Sequence, residues 1–191
     1  VVVGIVVVLG LWLWWAYNGM VDQQESATTA FANVQATYQR RADLIPNLTR
    51  TVQAYAKHEK STFPEVTKAR ASVSQIHLDA STATPEQIKK FDQAQGQLSQ
   101  ALGKLMLVAE RYPELKANEN FHDLQIQLEG TENRINEARQ KYNETVQSYN
   151  LAIRRFPNVL IAGSFGFTPM QKFEASSSAQ SAPTVNFDND I

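Results

Sequence analysis

Residues 40–48 read RRADLIPNL, and how Pro46 is taken decides the architecture, because helical periodicity runs on both sides of it. A proline offers no N–H to the carbonyl four residues back, here Ala42, and its ring crowds that carbonyl. It also pushes the preceding residue, Ile45, towards extended geometry. A reversal at this point makes two helices; a kink leaves one. Upstream, Tyr17, Gln24, Phe31, Tyr38 and Ile45 form one heptad row, and Met20, Ala27, Val34, Arg41 and Leu48 form the row beside it. The register continues through Val52 and Tyr55, which a reversal has no need to preserve. The expected reading is nevertheless a reversal far from the N-terminus, since it yields helices closer to one another in length.

Working outward, the segment after the next prolines is strongly periodic. Phe121, Leu128, Ile135, Tyr142, Tyr149 and Phe156 recur every seven residues, with Leu124, Thr131, Ala138, Thr145 and Ala152 three residues on from each of the first five. Bulky residues at one core position and mostly small ones at the other let a neighbouring helix approach closely. A third segment presents Ile88, Phe91, Leu98, Leu102 and Leu105, with Gly96, Ser99 and Gly103 as a row of small residues. Glycine costs about 1 kcal/mol against alanine inside a helix, so two of them a heptad apart point to close approach by a neighbour. Thr84 before Pro85 reads as a cap followed by proline at the first helical position, and Asn118 or Asn120 can cap the last helix. Pro64 is read as a kink, Pro113 as closing the third helix and Pro157 as ending the fourth.

No run of alternating β-branched residues suggests a strand. The expected fold is all-α: an antiparallel, up-down four-helix bundle over residues 18–156, with helices Tyr17–Leu44, Pro46–Ala80, Pro85–Tyr112 and Glu119–Phe156. It stands on an N-terminal transmembrane helix. Val1–Tyr17, VVVGIVVVLGLWLWWAY, carries no charged side chain, close to the roughly 17 to 25 residues that cross a bilayer. Trp12, Trp14, Trp15 and Tyr17 form the aromatic belt of a permanent span rather than the small-residue exit of a signal peptide. No Lys or Arg occurs before Arg40, while Asp22 and Glu25 follow the span, so the soluble part is expected outside the cytoplasm. The chain starts at Val1 without a methionine, and residues upstream of it are expected.

An up-down bundle returns the end of its fourth helix to the bilayer. Residues 157–174, apolar and rich in Gly and Phe, are therefore expected near the membrane. Phe165, Phe167 and Phe173 are available there for an interfacial or intersubunit contact, or for a loop packed on the base of the bundle. Residues 175–191 have the composition of a low-complexity tail.

The composition excludes several classes of function. The 191 residues hold 18 Lys and Arg against 19 Asp and Glu, which gives no positive field for nucleic acid. No cysteine is present, so disulfides, thiolate catalysis and thiolate metal sites are out. His58, His77 and His122 are scattered and form no metal-ligand spacing, and no phosphate loop, nucleophile elbow or dinucleotide fingerprint occurs. Glu129 and Glu132 could face one another, but acids three residues apart on a helix usually line a solvated or salt-bridged face. Arg41 falls on a core row, where its guanidinium needs acids or carbonyls such as those of Glu132 or Asp43. Glu110–Arg111 and Arg154–Arg155 read as pairs at the ends of the bundle.

The strings RRADLIPNLTRTVQAYAKHEK, ERYPELKANENFHDLQIQLEGTENRINEARQKYN and YNLAIRRFPNVLIAGSFGF, in that order and spacing, resemble the conserved blocks of the LemA family of bacterial membrane proteins. The likeness runs from about Tyr17 to Glu174. It departs at Pro64, where relatives more often have a helix former, and in the tail. The resemblance implies an N-terminal anchor in the bacterial inner (cytoplasmic) membrane and an antiparallel helical bundle. It brings no enzymatic activity, catalytic residue, cofactor or metal. In many genomes such proteins accompany membrane-bound peptidase-like or phosphatase-like partners, which implies a structural or accessory role.

The expected function is a non-enzymatic scaffold that touches membrane lipid and self-associates into a homo-oligomer. The alternative is an adaptor or sensor that presents RRADLIPNL or ERYPELKANEN to another membrane protein. Candidate interaction residues are Arg40, Arg41, Asp43 and Pro46, with Glu114 in the second string and Phe165, Phe167 and Phe173 near the membrane.

Overall fold

The computed structural model of the chain describes residues 1–59 and 61–174, so the expected tail lies outside the described residues. Among those described there is no strand; the chain is all-α. In chain order the helices are α1 (Val2–Tyr55), α2 (Thr62–Ser74), α3 (Pro85–Glu110), the single turn α4 (Pro113–Lys116), α5 (Glu119–Arg154) and the single turn α6 (Val159–Ala162). A 3-10 turn, Gly163–Phe165, follows α6.

The expected reversal at Pro46 does not occur: α1 passes through that residue and ends only at Tyr55. Pro46 leaves the carbonyl of Ala42 without its helical donor, and the Arg70 side chain of α2 supplies one, Nε donating to Ala42 O at 3.1 Å. Ile45, Leu48 and Val52 are buried on the face that also carries Phe31, Val34 and Tyr38. Burial of this one continuous stripe outweighs the proline's local preference, as tertiary packing routinely does. The expected second helix, Pro46–Ala80, is accordingly cut to α2. Pro64 sits in the first turn of α2, where backbone N–H groups have no helical partner in any case, so it produces no kink.

The other ends follow local chemistry. Thr84 caps α3 with a capping box: its Oγ1 accepts from Gln87 N at 3.2 Å, and Gln87 Oε1 accepts from Thr84 N at 2.8 Å. Asn118 caps α5, Oδ1 accepting from Phe121 N at 3.0 Å.

α1 and α5 run in opposite directions along their shared length. Tyr55 accepts a hydrogen bond from Asn118, Arg41 pairs with Glu132, and the rings of Phe31 and Tyr142 lie 5.2 Å apart. α2 and α3 are likewise opposed, with Glu59 just before α2 against Arg111 just after α3 and Glu65 against Lys104. α3 meets α1 through Tyr38 and Phe91, whose rings are edge-on at 5.1 Å.

Two hydrophobic cores result. One holds Ile45, Leu48, Val52, the apolar face of α2, Leu98, Leu102, Leu105 and Phe121. The other holds Met20, Phe31, Val34, Tyr38, Phe91, Ile135, Tyr142, Tyr149 and Ile153, together with Phe167, Met170 and Phe173 from the segment after α6. Phe156, at the end of the heptad row, falls beyond α5 and is 80% exposed.

The segment after α6 departs from expectation. At Gly166 the backbone enters the left-handed region, φ 79°, which lacks a side-chain penalty only for glycine. The chain then turns back along α5 as an extended strap, residues 167–174, heading away from the N-terminal helix end rather than staying beside it. Tyr149 Oη donates to Thr168 O at 3.0 Å, Tyr142 Oη to Gln171 O at 2.8 Å, and Arg139 Nη2 to Glu174 O at 3.0 Å.

α1 is long and apolar enough near its N-terminus to cross a membrane, and residues 1–11 are all exposed. Among the described residues α1 alone has such a stretch, which fits a single-pass membrane protein.

Candidate functional site

The strap has no ladder partner, so its backbone polar groups must be met by side chains. Asn150 clamps Met170, Oδ1 accepting from its N and Nδ2 donating to its O, both at 2.9 Å. Seven residues earlier on the same helix Asn143 does the same to Phe173, at 2.9 and 2.8 Å. Each amide thus imitates one residue of a neighbouring strand. Asn143 and Asn150 follow the core residues Tyr142 and Tyr149, so a heptad on α5 carries one packing group and two hydrogen-bonding groups per repeat. At the second clamp the Phe173 ring stacks with Phe31 at 6.1 Å and meets Tyr142 edge-on at 5.3 Å.

Between the two hydrophobic cores lies a layer of buried polar side chains. Arg41 is 1% exposed; its Nη1 donates to Glu132 Oε2 at 2.8 Å and to Ser99 Oγ at 3.0 Å, and its Nη2 donates to Gln95 Oε1. Its guanidinium also rests on the Tyr38 ring, 5.2 Å from the centroid. Of the two acids expected near Arg41, Glu132 is the partner; Asp43 is exposed and accepts from Gln39 instead.

Tyr38 links this cluster to a second. Arg139 Nη1 donates to Tyr38 Oη at 3.1 Å and pairs with Asp92 at 2.9 Å, and the guanidinium lies 4.7 Å from the Phe173 ring centroid. Burial pushes the Asp92 carboxyl above its ordinary range although Arg139 pulls the other way, and burial likewise raises the Tyr38 hydroxyl.

These contacts tie α1, α3 and α5 to one another. A cavity of about 530 Å³ is lined by Asn47, Arg50 and Thr51 of α1 and Asn120, Asp123, Leu124 and Gln127 of α5. Neither Arg41 nor Asp92 opens into it. Glu129 accepts from Gln125 while Glu132 is held by Arg41, so the two acids do not form a facing pair. The three histidines are exposed and apart, His58 and His77 in the connections after α1 and α2 and His122 on α5, and among the described residues no group of three His, Asp or Glu converges.

The remaining candidates are spread widely. Arg40 is exposed on α1, Pro46 is half-buried in the middle of that helix, and Glu114 is exposed on α4. Phe167 and Phe173 are buried within the chain, whereas Phe165 keeps 47% of its surface exposed. Glu110 pairs with Lys116 and Arg111 with Glu59, closing the far end; Arg154 and Arg155 enter no ion pair among the described residues. In the small-residue row on α3, Ser99 meets Arg41 of α1, but the two glycines do not meet a neighbour in the chain as expected. A side chain at Gly96 or Gly103 would find open space, because both glycines face outward.

Sequence reasoning missed Arg70, Asn143, Asn150 and Arg139. The asparagines carried a signal, a polar residue repeating every seven directly after a core aromatic. Arg70 carried none, since its partner carbonyl is 28 residues away.

A family model described as the LemA family matches residues 30–187. Magnetosome protein MamQ of Magnetospirillum gryphiswaldense is 27% identical over 174 residues, covering 82% of this chain and 64% of that relative. Magnetosome protein MamQ 2 of Paramagnetospirillum magneticum is 26% identical, with 83% and 64% covered. Protein LemA of Metamycoplasma hominis is 24% identical, with 83% and 69% covered. The chain therefore spans less than two thirds of the length of these MamQ relatives.

Proposed function

The chain belongs to the LemA family, and from that premise we propose that it is a non-enzymatic, membrane-anchored helical scaffold that self-associates into a homo-oligomer. Its helices α1, α2, α3 and α5 stand as an up-down bundle on the anchor. The soluble part lies outside the cytoplasm on the inner membrane, with Asp22 and Glu25 rather than lysines following the span. The names of the matched relatives, a magnetosome protein and LemA, are not those of enzymes, and this supports a structural role.

The observation that carries self-association is the outward face of α3. Gly96 and Gly103 each cost about 1 kcal/mol of helix stability and make no close contact within the chain in return. Leu107, one turn further on the same face, is 68% exposed. A second copy's helix laid along this stripe uses the missing side chains for close approach and covers the leucine.

The test is the mass of the full chain in lipid nanodiscs, beside Gly103→Leu and a Gly103→Cys chain oxidised in native membranes. The scaffold reading expects an oligomer, its loss in Gly103→Leu, and disulfide-linked copies of the same chain. A monomer at micromolar concentration contradicts it. Crosslinking from Arg40 or Glu114 that captures a different membrane protein, with no self-capture at Gly103, supports an adaptor or sensor instead.

A further inference from the structure

At the membrane end of the molecule, an apolar surface and two arginines sit side by side outside the packed core. The turn α6 and the 3-10 turn after it expose Val159, Leu160 (67%) and Phe165, and Phe156 just before them is 80% exposed. Arg154 and Arg155 adjoin this surface, both exposed and in no ion pair among the described residues. The same end of α1 brings the aromatic belt alongside. The Phe165 ring meets Tyr17 edge-on at 5.3 Å, and a cavity of about 470 Å³ is lined by Trp15 and Ala16 together with Leu151, Arg155 and Asn158.

These contacts fix the height of the surface relative to a bilayer. The charge-free stretch Val1–Tyr17 ends in an aromatic belt, the side chains that sit at headgroup level where a span leaves the bilayer, so Trp15 and Tyr17 lie at that level. Phe165 and Arg155 touch or face those residues and therefore lie at that level too. We propose that residues 154–165 form a second, peripheral membrane contact. In it Phe156, Leu160 and Phe165 enter the headgroup–acyl boundary, and Arg154 and Arg155 bind the phosphates of anionic phospholipids beside Trp15. The occupant is lipid rather than a second chain, because the surface is continuous with the anchor. Its composition, apolar side chains bordered by arginine with acids absent from residues 145–173, is also that of an interfacial segment. The inference rests on α1 as the membrane anchor and is independent of self-association. It gives the molecule two footholds on one bilayer, which sets the tilt of α1 and α5 above it.

The chain supplies its own reporters, since its three tryptophans, Trp12, Trp14 and Trp15, all fall in the belt. The full chain is reconstituted with brominated phosphatidylcholine or brominated phosphatidylglycerol, and tryptophan quenching is measured. Brominated phosphatidylglycerol is expected to associate about five-fold more strongly per arginine at low salt. Arg154→Gln with Arg155→Gln equalises the two lipids, and inorganic phosphate at matched ionic strength leaves the wild-type preference unchanged. Equal quenching in the wild type, a preference surviving in the double variant, or displacement by phosphate overturns the proposal. In a second arm a fluorophore on Leu160→Cys, in an otherwise cysteine-free chain, is expected to be quenched by lipid-borne nitroxide and shielded from aqueous iodide. Leu107→Cys serves as the exposed control. Iodide quenching equal to the control, or shielding from both quenchers by another copy, overturns it equally.

Discussion

The two halves of the helical body solve the same packing problem with different parts. In both, α1 and α5 lie side by side and leave an apolar face uncovered. In the half far from the anchor, α2 and the later part of α3 cover it, with aliphatic residues such as Leu48, Val66, Leu98 and Leu105. In the half near the anchor, α2 is absent and α3 is only beginning. The strap takes the place, with Phe167, Met170 and Phe173 set among Phe31, Tyr142 and Tyr149. The lesson is that a groove lined by aromatics can be closed by eight extended residues where two helices would otherwise be needed. The condition is that side chains satisfy the strap's backbone, which Asn143, Asn150, Tyr142, Tyr149 and Arg139 do.

The largest expected effect comes from emptying the strap's place. Phe173→Ala should cost about 3–5 kcal/mol, as large-to-small core changes do. The loss should be unequal: hydrogen exchange should quicken around residues 20–38 and 139–153 while residues 94–109 stay protected. Uniform loss of protection would show that the halves are one cooperative unit.

The boundary between the halves comes next. Glu132→Ala leaves the buried Arg41 guanidinium with only Ser99 and Gln95. Because Glu132 itself is half-exposed, the cost should be about 2 kcal/mol rather than the full penalty of a wholly buried pair, read from urea unfolding. Within the far half, Arg70→Met should cost about 1 kcal/mol by orphaning the Ala42 carbonyl. In a Pro46→Ala background the helix regains its own donor, so the same substitution should cost less; additive effects in this cycle would break the account of Pro46.

The smallest effect concerns Asp92. Its folded-state pKa lies above the ordinary value, so the protonated form is favoured by folding. The contribution is fully present below the ordinary carboxylate pKa and is lost as pH rises through the raised one. Asp92→Asn should therefore change stability near neutrality by less than about 1 kcal/mol and flatten its acid-side pH dependence. A loss of several kcal/mol would mean that the Arg139 pair outweighs burial.

Much of this was legible in the sequence, for reasons local to it. The sevenfold spacing of Phe121, Ile135, Tyr142 and Tyr149 marked the buried face of α5, and Thr84–Pro85 marked the start of α3 through a cap three residues long. Pro46 was misread because the proline rule describes an isolated helix, while the donor that relieves it comes from another one. The continued register through Val52 was the better guide. The strap was illegible because Phe167, Met170 and Phe173 fit neither helical nor strand periodicity; what orders them is written on α5. Of the candidate site, Arg41 with Glu132 could be read from a charge on a core row, whereas Asp92, Arg139 and Tyr38 meet only in three dimensions.

The central claim is that α1 runs unbroken from the anchor through Pro46, so that with α5 it frames both halves. Spin labels at Asn33→Cys and Gln53→Cys, both exposed on α1, test it directly in a chain without other cysteines. Twenty residues at 1.5 Å each place the labels about 30 Å apart in one helix. A reversal at Pro46 brings them within about 15 Å, the spacing of adjacent antiparallel helices plus a short offset. A pulsed electron-resonance distance near the longer value is the predicted result; a distribution centred on the shorter one would contradict it.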